Sequence, residues 1–229
     1  MLIDVAHRLG LQFGYVHNED SFGHHIGRHV TANNIGLLVF GNAQNSYLPD
    51  LPPYRGYQVV RDPRDLVVSA YFSHRNSHEL QAWLEEHRKA LLAADPVEGL
   101  HLQIDFWLME YMLNQMREWD FDNPNVLELR YEDLIADPVQ ELRRAYEFIG
   151  LFDRGLTDSA LSDVLQAHSF EAKSGGRKPG HSDEQSHYRR GLPGDWHNHF
   201  LPEHVDHFKE KYGDLVVAWG YESDSAWAA

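Results

Sequence analysis

Gly56-Tyr57-Gln58-Val59-Val60, followed at once by Arg61-Asp62-Pro63-Arg64-Asp65-Leu66-Val67-Val68-Ser69, decides how this chain reads. The first five residues form a short apolar run, a buried β-strand that ends in an arginine. Asp62 then caps a helix and Pro63 opens it, because proline lacks the N–H that a first helical turn leaves unpaired. Backbone N–H groups and the helix dipole favour negative charge at such a strand-to-helix turn. Arg61 adds a forked donor, and Ser69, two turns in, adds a hydroxyl. Phosphate binding is the chemistry this predicts.

On either side of that turn, short β-branched runs alternate with longer helical patterns, the layout of a parallel sheet with crossover helices. Leu2, Val5, Ala6 and Leu9 share one helical face that Gly10 ends. Leu37 to Phe40, Tyr57 to Val60 and Val126 to Leu129 read as strands. Helices are expected from Pro63 to about Arg75, from Glu79 to Ala93, and from Pro96 to Trp119 with Asp95 as cap. Asp137 and Pro138 start another that runs to Ile149 and stops at Gly150, and a last one runs from Pro202 to Tyr212, stopped by Gly213. The Gly-, Ser- and His-rich stretch from Ser174 to His187 reads as a mobile loop.

A chain of 229 residues with 42% apolar content can bury one substantial core, so residues 1–229 are expected to form a single domain. No run reaches the length a membrane span needs, and Met1 to Gly10 is too charged for a signal peptide, which predicts a soluble, cytoplasmic protein. The absence of cysteine excludes disulfides, thiolate catalysis and cysteine-ligated zinc. A net charge of −15 argues against nucleic acid as partner. Between residues 171 and 191 the balance reverses: Lys173, Arg177, Lys178, Arg189 and Arg190 face only Glu171, Asp183 and Glu184. A compact anionic ligand fits that local basic segment.

Three separated segments carry a family resemblance. Arg61-Asp62-Pro63-Arg64-Asp65 through Ser69, then Leu129-Arg130-Tyr131-Glu132-Asp133-Leu134, then Arg189-Arg190-Gly191-Leu192-Pro193-Gly194-Asp195-Trp196 resemble, in order and approximate spacing, the cytosolic-type sulfotransferases. These enzymes move a sulfuryl group from 3′-phosphoadenosine 5′-phosphosulfate (PAPS) to an alcohol, phenol or amine. The resemblance spans about residues 37–212 and implies a three-layer, P-loop-NTPase-like α/β fold. It places Arg61 and Ser69 on the donor's 3′-phosphate, Tyr131 near the adenine and 3′-phosphate, and Arg189, Arg190 and Gly191 over the 3′-phosphate. Arg190 stands where the family usually has lysine, which keeps the charge and changes the donor geometry.

The chain departs from the pattern in two places. Family members open with a strand and a loop of the type Lys-Ser-Gly-Thr-Thr that holds the 5′-phosphosulfate. No Gly-Lys-Ser/Thr sequence occurs here, and Met1 to Gly10 looks like the helix that follows such a loop. A start truncated or called too late is the simplest explanation. Loss of that strand would leave a central sheet edge unpaired, and removing one stabiliser of a developing charge commonly costs about two to three orders of magnitude in rate, where here a whole set of donors is missing. The sequence as written is therefore expected to bind the nucleotide half of PAPS and to turn over poorly. The second departure is at Ser46-Tyr47-Leu48-Pro49, where Tyr47 replaces the family's histidine. Tyr47, His74 or no side chain takes the acceptor proton, and the catalytic base is unassigned.

The resemblance implies a small-molecule, glycan or protein hydroxyl as acceptor, with a homodimer as the assembly to consider. The competing class is a non-catalytic module that binds adenosine 3′,5′-bisphosphate (PAP). A kinase is disfavoured because phosphoryl transfer also needs a phosphate loop and a magnesium site. Trp83, Phe106, Trp107, Tyr111 and Trp119 are candidates for an apolar pocket or for plain core. Sixteen histidines include the clusters His24, His25, His29 and His197, His199, His204, His207. Their spacings match no established ligand pattern, so no metal is expected. The histidines do predict a marked change of charge between pH 5 and 7.

Overall fold

A computed structural model of the chain describes residues 1–16 and 25–228. In chain order, α1 (Leu2–Arg8), β1 (Gln12–Val16), α2 (Ile26–Ala32), β2 (Ile35–Phe40) and β3 (Gly56–Val60) precede a run of helices. That run is α3 (Pro63–Phe72), α4 (Ala82–Ala93), α5 (Pro96–Ile104) and α6 (Trp107–Arg117). β4 (Val126–Arg130), α7 (Tyr131–Ala136), α8 (Pro138–Phe148), α9 (Asp158–Ala167), α10 (Phe170–Lys173) and α11 (Pro202–Ala218) complete the described elements. The elements pack as two compact units, one of Met1–Val60 with Glu118–Ala172 and one of Arg61–Arg117 with Lys173–Ala229.

Aspartate caps and proline starts fix the helix entries. The Asp62 carboxylate accepts the Arg64 N–H at 2.9 Å, Asp95 accepts those of Val97 and Glu98 at 2.9 and 3.0 Å, and Asp137 accepts that of Gln140 at 3.0 Å. In each case proline follows the cap, where its missing N–H costs nothing. Gly10 and Gly150, at φ +63° and +74°, turn the chain out of α1 and α8 in the left-handed region that residues with a β-carbon avoid.

The first unit holds the strands. β1 lies parallel to β2, and β3 lies parallel to β4, with Gly56 opposite Val126 and Val60 opposite Arg130. The sheet is therefore two parallel pairs rather than one continuous ladder among the described residues. Residues Ile35–Ala43 and Leu51–Val59 line a cleft of about 650 Å³. Leu129, Leu142, Tyr146, Leu151 and Leu161 fill the core against β4, α8 and α9, and Val5 of α1 joins them.

The second unit is helical, with Val67, Val68 and Tyr71 of α3 packed among Leu100, Ile104, Leu113, Phe208 and Val216. Here three helix expectations change. The helix expected from Pro96 to Trp119 breaks at Asp105-Phe106, because Asp105 turns out to meet His207 Nε2 at 2.9 Å and Lys211 Nζ at 2.8 Å while Phe106 stacks on His87. The last helix passes through Gly213 to Ala218, since Leu215 and Val216 must stay buried on its core face. The helix expected from Glu79 begins at Ala82. β1, α2 and α9 are elements the sequence patterns missed.

His74 sits in a π turn, Ser73–Ser77, that extends α3 into this core. Its Nδ1–H donates to Gln103 Oε1 at 3.1 Å, and the rings of Trp83 and Phe106 stand edge-on at 5.5 and 5.6 Å. Burial pushes its pKa down from 6.5 to about 4. The imidazole is thus neutral in the fold, while the unfolded chain takes up a proton near the ordinary value. Its contribution to stability is complete above pH 6.5 and is lost as pH falls toward 4. Urea unfolding should show wild type losing about 2 kcal/mol more than a His74→Phe variant between pH 7 and pH 5.

Candidate anion-binding site

In the second unit, α3 and the loop before α11 bring four of the sequence-predicted residues into one neighbourhood. Arg61 precedes the cap of α3, and its guanidinium lies 3.8 Å from the Asp65 carboxylate. Asp65, 1% exposed, accepts the backbone N–H groups of Gly194 at 2.6 Å and Trp196 at 2.9 Å. That pair of bonds ties the Arg189–Trp196 segment to α3. Gly191 and Gly194, at φ +70° and +76°, supply the left-handed turns that let the segment double back.

Arg189 and Arg190 both donate to the Asp195 carboxylate. Asp195, 3% exposed, also accepts Asn198 Nδ2–H at 2.9 Å and lies 3.3 Å from His199 Nε2. The Arg189 guanidinium rests 4.3 Å over the Phe72 ring. Burial pushes the Arg189 pKa down, and the positive charge of Arg61 pushes it the same way. Burial likewise lowers His199, with Arg189 adding to the effect. Arg61 faces Asp65 and Arg189 faces Asp195, so two partly buried guanidiniums stand at one helix entry, a setting that favours an anion.

Arg64, Asp62 and Trp196 serve the frame. Arg64 Nη2 and Nε donate to Asp62 at 2.7 and 3.0 Å, Nη1 donates to Glu222 at 2.6 Å, and the guanidinium lies 3.9 Å from the Trp196 ring centre and 4.6 Å from that of Trp227. Ser69 is half-buried on α3. Arg177 draws the loop before Arg189 together, donating to His181 O, Ser186 Oγ, Tyr188 O and Arg189 O. Ser174–His187 is thus irregular but internally bonded.

The remaining candidates belong to other elements. Tyr131 opens α7 in the first unit, directly after Arg130. Tyr47 is buried in the same unit and stacks on Phe40 at 5.6 Å, as core aromatics do. Trp83 and Phe106 pack around His74, Trp107 and Tyr111 are 55% and 44% exposed, and Trp119 lines the cleft of the first unit. Trp119 belongs to the first unit and the other four to the second. His24 lies outside the described residues, and among the described residues no group of three or more His, Cys, Asp or Glu is placed to hold a metal. Nor is any described helix long and apolar enough to cross a membrane.

A profile of the sulfotransferase domain matches residues 56–220. The chain belongs to the sulfotransferase domain family. Human sulfotransferase 1C2 is 28% identical over 169 residues, 67% of this chain and 52% of that protein. A flavonol sulfotransferase-like protein of Flaveria bidentis is 29% identical over 168 residues, 69% of this chain and 52% of the relative. This sulfotransferase-domain chain thus spans about half the length of the curated relatives it matches. Among solved structures, mouse sulfotransferase SULT7A1 complexed with PAP aligns with a TM-score of 0.56 at 19% identity, covering 90% of this chain and 84% of that one. That likeness shows the fold, helices packed with parallel strands in the P-loop-like manner of sulfotransferases.

Sequence reasoning singled out Arg61, Arg189 and Arg190, could name Asp65 only as one of several carboxylates within reach of Arg61, and missed Asp195, which holds the other two arginines. Asp65 was visible one helical turn before Ser69, and Asp195 lay inside a Gly-Asp-Trp run that reads as purely structural. Nothing in either short stretch distinguishes a carboxylate that holds an arginine from one on a solvated face.

Proposed function

We propose that this protein is a sulfotransferase that carries a sulfuryl group from PAPS to a hydroxyl or amine acceptor. Arg61, Ser69, Arg189, Arg190 and Gly191 hold the donor's 3′-phosphate, and Tyr131 lies beside the adenine and that phosphate. Residues 1–229 belong to one sulfotransferase-like domain, a reading supported by a family match that runs without interruption through segments of both units. The observation that carries the proposal is the buried Asp65 carboxylate, which meets the Arg61 guanidinium and accepts the backbone N–H groups of Gly194 and Trp196, so that α3 and the Arg189–Trp196 segment come together. The acceptor's hydroxyl oxygen or amine nitrogen attacks sulfur and gives up its proton to solvent, the bond from sulfur to the bridging oxygen breaks, and PAP leaves.

The acceptor class proposed is a small alcohol or phenol, in keeping with relatives named for flavonol and 3-alpha-hydroxysteroid sulfotransferases. The test is release of PAP from PAPS by the purified protein across a panel of phenols and alcohols. Release that requires both PAPS and acceptor supports the reading. Tight PAP binding with no acceptor-dependent release would make the protein a nucleotide-binding module instead.

A further inference from the structure

We propose that Asp195 is the positioning residue of the anion site: its buried carboxylate fixes the orientation of Arg189 and Arg190 so that both guanidiniums meet a phosphate already aligned. The inference rests on the reading of those arginines as 3′-phosphate ligands.

The geometry distinguishes Asp195 from an ordinary surface ion-pair partner. It is 3% exposed and gathers four side chains, namely Arg189, Arg190, Asn198 and His199. Its own backbone is held from both sides, because Asp65 accepts the N–H groups of the flanking Gly194 and Trp196. The carboxylate therefore cannot follow the arginines; the arginines must come to it. Asn198 occupies further acceptor capacity on Oδ1 and His199 lies against Oδ2, which limits how the carboxylate can rotate. Each guanidinium is anchored on that fixed carboxylate through one nitrogen, Nη2 of Arg189 and Nη1 of Arg190, which restricts where its planar fork lies. For Arg189 the Phe72 face restricts that fork a second time.

The cost of this arrangement is one negative charge close to an anion site. Arg61, Arg189 and Arg190 stand against Asp65, Asp195 and Glu184, whose charge also reaches Arg189 and His199, while His199 is held toward its neutral form. Preorganisation removes the ordering of two long side chains from the binding step, an advantage that a flexible arginine pair lacks.

Two ligands separate positioning from folding. PAP carries the 3′-phosphate, and adenosine 5′-monophosphate lacks it. By calorimetric titration of the 229-residue protein, Asp195→Asn should weaken PAP about tenfold or more, the scale of lost outer partners around metal ligands, and leave the monophosphate unchanged. Asp195→Glu, which keeps the charge and displaces it by one methylene, should fold as wild type does and lose part of the preference for PAP. The loss caused by Asp195→Asn should shrink in an Arg190→Ala background, because one of the groups it positions is then gone. Unchanged or tighter PAP binding by Asp195→Asn would overturn the proposal, the latter by showing that the carboxylate competes with phosphate. Equal loss of both nucleotides would make it a folding residue only. If wild type itself shows no preference for PAP, the 3′-phosphate reading fails, and this inference with it.

Discussion

Arg64→Ala is expected to destabilise the protein by about 3–5 kcal/mol, the usual consequence of removing one partner from a buried ion pair. The side chain is 2% exposed and bridges Asp62, which caps α3, to Glu222 beyond the end of α11, while lying against Trp196 and Trp227. Its removal leaves the buried Asp62 carboxylate without the guanidinium and opens a gap beside two indole rings. Arg64→Lys should recover little, because an ammonium cannot reach two carboxylates as a fork and stack on tryptophan at once. Urea unfolding measures both. A loss under about 1 kcal/mol for Arg64→Ala, the range of exposed pairs, would show that the bridge contributes little.

Arg61→Ala should weaken PAP binding by about 10- to 100-fold, since a hydrogen bond to a charged group contributes roughly 1.5–3 kcal/mol. Arg61 is the more informative of the two arginines. Arg189 also covers Phe72 and joins Asp195, so its truncation disturbs the loop as well as the ligand. Ser69→Ala removes a single neutral donor, and its expected effect is smaller, roughly threefold to tenfold. Neither Arg61→Ala nor Ser69→Ala should shift the urea midpoint by as much as Arg64→Ala. Equal PAP affinity in wild type, Arg61→Ala and Ser69→Ala would end their assignment as donor-site residues.

Elements whose ends carry their own chemistry were legible in the sequence. Asp62-Pro63, Asp95-Pro96 and Asp137-Pro138 each mark a helix start that the structure keeps to the residue, and Gly10 and Gly150 mark exits through a left-handed turn. β3 and β4 are short runs built around Val, Leu and Tyr, and they match expectation within a residue. The failures occur where a distant partner decides the outcome. Asp105 breaks a continuous helical pattern because His207 and Lys211, about a hundred residues later, take its carboxylate. Gly213 ought to stop a helix by propensity, yet buried Leu215 and Val216 carry the helix past it.

The site divides in the same way. Arg61, Ser69, Arg189, Arg190 and Gly191 lie in short stretches with recognisable spacing, whereas the Asp65 and Asp195 frame depends on which backbone N–H and which guanidinium arrive from elsewhere. Tyr47 illustrates the converse. Its place in the sequence suggests chemistry, and its packing against Phe40 explains it as core.

Side-by-side calorimetric titration of the wild-type chain with PAP and with adenosine 5′-monophosphate tests the central claim, a site for the 3′-phosphate. Preference for PAP by about tenfold or more, declining as salt rises, is the predicted result for a site built on partly exposed arginines. Equal affinity for the two nucleotides, or no binding of PAP, would contradict it.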